Sequence, residues 1–125
     1  MSSLVERNVL GEALQPCSTD PLTGFFRTGA CMAGPDHVAR HLVCCEMTAE
    51  FLAFSKLVGN DLSAPNPDYG FPGLKPGDHW CVHVLRWKEA LEHGKAPKIA
   101  ILSTSEHALN FVSLEDLKRH AFDLA

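Results

Sequence analysis

An α+β fold, with a small mixed sheet of about three to four strands packed against three or four helices, is what this sequence predicts. Two observations point there. Short apolar runs rich in strand formers are followed by capped, helix-periodic segments, and two long irregular segments rich in Pro and Gly interrupt the chain where neither a helix nor a central strand can run. The 125 residues, 46% hydrophobic and 21% charged, have the proportions of one globular domain over 1–125 rather than of a disordered or fibrous chain.

The first irregular segment covers residues 11–36 and holds Pro16, Pro21 and Pro35 with four glycines; Asp20-Pro21 and Ala33-Gly34-Pro35 read as turns. His41 to Met47 (His-Leu-Val-Cys-Cys-Glu-Met) is a buried strand. Thr48 then serves as a helix N-cap, and Phe51, Leu52, Phe54, Ser55 and Val58 make an apolar stripe that ends at Gly59. Residues 60–78 contain four prolines and three glycines. A structureless stretch of that length is usually functional or a linker, and Leu62, Tyr69, Phe71 and Leu74 favour a loop packed on the body. His79 to Val84 is a second strand, running into a helix from Leu85 to His93 with Trp87, Ala90 and Leu91 inward. Lys98 to Leu102 reads as a third strand. Two short helices follow, one from Ser105 to Phe111 and one opened by Ser113 with Asp116 three residues on, the spacing of a capping box.

Eleven Lys and Arg against fifteen Asp and Glu give a net charge of −4 without a block of either sign, which argues against nucleic acid as a partner. The longest apolar runs fall far short of the roughly 20 residues that cross a bilayer. Met1 to Arg7 lacks the basic and then apolar pattern of a secretory signal, so the cytoplasm is the default address. Five cysteines, an odd count without an export signal, favour reduced thiols over a disulfide framework.

No phosphate-binding loop, dinucleotide glycine motif, zincin helix, serine-hydrolase elbow or C-x-x-C is present. The densest polar constellation is Asp78-His79-Trp80-Cys81-Val82-His83. On a strand, His79, Cys81 and His83 share a face at about 7 Å per two residues, so two of the three can share an ion. Cys81 with His83 then needs ligands from Cys44 and from Cys17 or Cys31, and thiolates with imidazole favour zinc. The expected metal set is Cys17, Cys44, Cys81 and His83. A thiol reading uses Cys81 or Cys17 as nucleophile with Asp78 or Asp61 orienting an imidazole, and Arg86 either clamping an anion or paired to a surface carboxylate. A non-enzymatic reading makes the loop of residues 60–78 one wall of a pocket for a small molecule, or a self-association surface, with Asp61, Tyr69, Phe71 and Trp80 as binding residues. His37, His93, His107 and His120 read as solvated.

The run Gly59-Asn60-Asp61-Leu62-Ser63, then Tyr69-Gly70-Phe71-Pro72-Gly73-Leu74-Lys75-Pro76-Gly77-Asp78, with Trp80-Cys81 and Arg86-Trp87, resembles a family of small bacterial and plant proteins catalogued as domain of unknown function 2237. Pro16-Cys17-Ser18, Thr23-Gly24-Phe25-Phe26-Arg27, Met47-Thr48 and Ser113-Leu114-Glu115-Asp116-Leu117 carry the resemblance from about Asn8 to Ala121. It implies cysteine at positions 17, 44 and 81, and no assigned activity. Two departures stand out: His83 replaces a second cysteine of a Cys-x-Cys pattern, and Ser105 replaces a histidine. A Cys/His metal or thiol site is the first expectation, and a ligand-binding or self-associating module the second. Neither establishes an enzyme.

Overall fold

The computed structural model describes residues 6–124. The leader reading of Met1 to Val5 therefore lies outside the described residues. Two strands, β1 (His41–Glu46) and β2 (His79–His83), pair antiparallel, with a register irregularity at His41/Val43. Three α-helices surround them: α1 (Ala49–Leu57), α2 (Val84–Glu92) and α3 (Leu114–His120).

The sheet is thus smaller than the sequence predicts, and antiparallel rather than mixed. The stretch expected as a third strand lies against the outer edge of β1, where the Glu46 amide donates to the Lys98 carbonyl and the Ala100 amide to the Cys44 carbonyl, but its ladder is one bridge, Cys45 to Ile99. The cause is local. The Asp123 carboxylate accepts from the Ile101 and Leu102 amides at 2.7 and 3.2 Å, and the chain coils there into a 3-10 turn, Ile101–Ser103. The helix expected from Ser105 is likewise a 3-10 turn, Glu106–Asn110, capped by the Ser105 hydroxyl.

Local chemistry explains the elements that do form. Thr48 Oγ1 accepts from the Phe51 amide at 3.0 Å and Ser113 Oγ from the Asp116 amide at 3.1 Å, each satisfying a donor that a helix start leaves open. Phe51 and Leu52 from α1, Trp87 from α2 and Leu117 from α3 meet Val43 and Ile99 in one apolar core. The Trp87 indole keeps its hydrogen bond inside that core, to the Pro97 carbonyl at 3.3 Å. Across residues 60–78, Leu74 is buried and Leu62 and Phe71 pack on the core, while Tyr69 is 75% exposed instead of packed. Gly73 closes the loop on itself at φ +82; a Cβ there would stand 2.7 Å from the Ser63 carbonyl oxygen.

The N-terminal segment is pinned by covalent bonds. Cys17 is joined to Cys44 of β1 and Cys31 to Cys81 of β2, correcting the expectation of reduced thiols; Cys45 is free and buried. Alternation along β1 sends Cys44 to the sulfur side and Cys45 into the apolar core, as adjacent strand positions require.

The rings close over sequence separations of 27 and 50 residues, for which chain entropy gives about 3.5–4 kcal/mol each, less in sum because the rings overlap. Reduction in chelator-containing buffer should therefore lower the thermal midpoint by roughly 15–25 °C, measured by circular dichroism with and without dithiol. An unchanged midpoint would show that apolar packing alone holds residues 6–40.

Candidate functional site

Cys44 and Cys81 face each other in the β1–β2 register. Neither bonds the other's backbone: the Cys44 amide donates to Thr104 Oγ1 at 3.3 Å, and the Cys81 amide to Thr23 Oγ1 at 2.8 Å. This is a non-hydrogen-bonded pair, the type whose side chains approach most closely. Over it the N-terminal segment lays Cys17 and Cys31. The sulfurs of Cys17, Cys31 and Cys81 lie within 4.8 Å of one another, and Cys44 is bonded to Cys17, so four of the five cysteines form one buried cluster beside Ala100.

On the neighbouring surface a continuous cleft separates residues 60–71 from the end of β2. Its larger part, about 620 Å³, is bounded by Phe25, Arg27, Asp61, Tyr69, Phe71 and Trp80, with Cys81 at its floor. The smaller part, about 470 Å³, adds His83, Arg86 and Glu89; His41, Asn60, Leu62 and Trp80 border both. Two walls are aromatic: Phe71 meets Trp80 edge-on at 5.1 Å, and Phe25 stacks on His41 at 6.0 Å.

Arg27 is the cation that borders the larger part. Its guanidinium lies 5.0 Å from the Trp80 ring centroid, within cation–π range. The backbone sits at φ 54, a left-handed conformation that a non-glycine residue adopts at a cost. Its own amide and Nη1 hold it there, both donating to the Gly24 carbonyl at 3.0 and 2.6 Å. Among the described residues no carboxylate pairs with it. Arg86, in contrast, is paired to Glu89 at 3.2 Å, the surface ion pair that the sequence allowed.

The two imidazoles, 5.3 Å apart and nearly perpendicular, are neutral at pH 7. Burial, then the neighbouring His83 and Arg27, pushes His41 down to about 4. Burial, then Arg86 and Arg40, lowers His83 as well. His83 Nδ1 accepts from the Leu85 amide at 3.2 Å and caps α2, which leaves its proton on Nε2. His41 Nδ1 is buried without a partner. Asp61, at the rim, accepts from both the amide and the hydroxyl of Ser63, and these bonds hold its carboxyl below the usual range.

The structure thus sorts the residues singled out from sequence into two places. Cys17, Cys44 and Cys81 meet, joined by Cys31, which the expected metal set omitted. His83 is in no such cluster among the described residues; it stands on His41 in the cleft. Asp61, Tyr69, Phe71 and Trp80 all border the cleft. Asp78 does neither, since its carboxylate accepts from the Lys75 amide and pairs with the Lys75 ammonium at 3.6 Å. Cys17 and Cys81, as disulfide sulfurs, carry no thiol for the nucleophile reading, and burial raises the free Cys45 thiol well above its usual range. Sequence reading missed Arg27 and His41. The signal lay in Gly24-Phe25-Phe26-Arg27, a turn-forming glycine followed by aromatics and a cation.

The chain belongs to the family described as "Uncharacterized protein conserved in bacteria (DUF2237)", which matches residues 7–121. No curated protein matches it. Among the described residues, no helix is long and apolar enough to cross a membrane.

His41 sets a pH signature. Unfolded, its ring takes a proton near 6.5, and in the native cleft only at about 4, so stability is full above pH 6.5 and falls as pH drops toward 4. Allowing for partial exposure, the loss should be on the order of 1–2 kcal/mol. Denaturant titrations from pH 7 to 4 should show a shallower decline in His41→Gln than in the wild type; parallel curves would assign the decline to other groups.

Proposed function

We propose that this protein binds a small anionic molecule with a planar apolar part in the cleft between residues 60–71 and the end of β2. The observation that carries the reading is Arg27, a guanidinium without a carboxylate partner among the described residues, held at left-handed φ against the Trp80 ring. Backbone strain of this kind persists where the surroundings enforce it, and it concentrates at ligand clamps. Around Arg27 the cleft offers one aromatic wall from Phe71 and Trp80 and another from Phe25 and His41. A planar group fits between such walls, and a carboxylate or phosphate matches the guanidinium fork. Asp61 would border the ligand's far side, and Tyr69 its mouth. Neutral imidazoles can donate to an anion from one nitrogen without repelling Arg27. No reaction is assigned, because the thiols that the nucleophile reading requires are in disulfides.

A second reading, metal binding by thiolates, is favoured by the three sulfurs within 4.8 Å of one another. It concerns the reduced chain, because a metal ligand must be thiolate. Soft sulfur donors would select zinc over magnesium or calcium.

Trp80 reports on the cleft while Trp87 is wholly buried, so tryptophan fluorescence separates ligand contact from bulk effects. Titration with benzoate should give a saturable change with Kd of about 1 mM, the affinity that some −4 kcal/mol from a nine-atom ligand corresponds to. Arg27→Gln should weaken it by about tenfold, and Trp80→Phe should abolish the signal. Benzyl alcohol binding as well as benzoate, or no response from either, would rule out the anionic class. Tyr69→Ser and Phe71→Ser changing only the sedimentation coefficient would favour self-association instead.

A further inference from the structure

We propose that the two disulfides are the oxidised form of a four-thiolate zinc site made by Cys17, Cys31, Cys44 and Cys81, so that reduction exchanges one staple of the N-terminal segment for another. This rests on the thiolate-metal reading; it names the donors, the metal and the redox state in which the site exists.

The geometry is that of a site collapsed by oxidation. A tetrahedral zinc–thiolate centre has sulfurs about 2.3 Å from the ion and hence about 3.8 Å from one another. The sulfurs of Cys17, Cys31 and Cys81 already lie within 4.8 Å of one another, and the fourth, that of Cys44, is tethered to Cys17. Independent structural disulfides have no need to converge; here both meet over a single cross-strand pair, Cys44 and Cys81. That pair supplies two donors from the antiparallel strands, and the N-terminal segment supplies two from turns fixed by their own hydrogen bonds, the Cys17 amide donating to the Gly29 carbonyl at 2.6 Å. Among the described residues the metal-capable side chains that converge there are cysteines alone, and a sulfur donor set suits zinc. His83 is otherwise employed: its Nδ1 caps α2 and its ring meets His41.

The electron balance is simple. Each disulfide takes two electrons and two protons from a dithiol reductant, which closes to its own cyclic disulfide; the four resulting thiols release their protons as Zn²⁺ binds. In a cytoplasm, where thiols are kept reduced, the zinc form would then hold residues 17–31 to the strands. In an oxidising compartment the disulfides do the same.

The test uses the full chain in two states, air-oxidised and dithiol-reduced, each exposed to Zn²⁺ or Co²⁺ and then desalted anaerobically. The reduced chain should retain about one zinc per molecule by elemental analysis and regain most of its lost thermal midpoint, while the oxidised chain retains next to none. The cobalt form should show the strong near-ultraviolet thiolate band and visible bands of an all-sulfur tetrahedron, unchanged in His83→Ala and altered in Cys31→Ser. A reduced chain that holds no metal overturns both the thiolate reading and this site. A metal retained with a mixed sulfur and nitrogen spectrum, lost in His83→Ala and indifferent to Cys31→Ser, overturns this site and leaves the broader reading standing. Equal uptake by the oxidised chain overturns the redox dependence. Should Cys31→Ser not fold, the wild-type cobalt spectrum still counts the sulfurs and decides.

Discussion

The cross-strand contact of Cys44 with Cys81 is the constraint from which the rest of the architecture follows. A two-stranded sheet alone is marginal in water, since it has one paired edge and two open ones. Here both open edges are covered. Residues 98–100 lie along β1, and the N-terminal segment meets β2 through Thr23, whose hydroxyl takes the Cys81 amide. A threonine hydroxyl does at each strand what a ladder neighbour would do, because Thr104 takes the Cys44 amide in the same way. With those amides turned outward, Cys44 and Cys81 stand opposite each other across the pair, and whatever joins them to Cys17 and Cys31 anchors more than thirty residues of otherwise irregular chain.

The cleft depends on that anchorage. Between Cys17 and Cys31 the chain makes a loop whose turns place Phe25 and Arg27 across from Trp80, and nothing apolar holds this loop as firmly as its two cysteine ends: Phe25 and Leu22 are both about half exposed. The facing wall, residues 60–71, is secured differently. Leu62 and Phe71 pack on the main core, and Asn66 and Phe71 exchange backbone hydrogen bonds across a small loop. One wall is therefore covalent and the other is built by packing. Any influence of redox state on the cleft would act through the Arg27 side.

The strand-to-helix units were legible in the sequence, because apolar patterning and a capping hydroxyl act over a few residues: Thr48 and Ser113 cap as their spacing predicts. The third strand was not, since the group that ends it, Asp123, is more than twenty residues away along the chain and competes for the Ile101 and Leu102 amides. Among site residues, the loop's Asp61, Tyr69 and Phe71 could be singled out because a long Pro/Gly loop with aromatic members is conspicuous in itself. Arg27 could not, because its importance lies in a backbone conformation and in a tryptophan more than fifty residues on. Cysteine pairing was invisible for the same reason: partners 27 and 50 residues apart are chosen by strand register, which composition does not encode.

His83 shows why spacing on a strand is a weak guide to shared ligation. Side chains at positions 81 and 83 point to one face in an ideal strand, which made Cys81 and His83 look like natural co-ligands. Yet β2 ends at His83, the pairing with β1 slips at His41/Val43, and the His83 ring turns to cap the first turn of α2. Both residues do face the cleft, but at its two ends, Cys81 at the floor of the larger part and His83 beside Arg86 in the smaller. A cysteine at position 83, which the family resemblance implies, would on this backbone project beside His41 rather than into the sulfur cluster. It would be the sixth cysteine of the chain, next to a cationic side chain and open to the cleft, the setting that lowers a thiol's pKa and exposes it to reaction. Histidine at 83 therefore does not remove a member of the buried set. It changes what the far end of the cleft can do, from a place where a thiolate could form to one where a neutral imidazole offers a single proton.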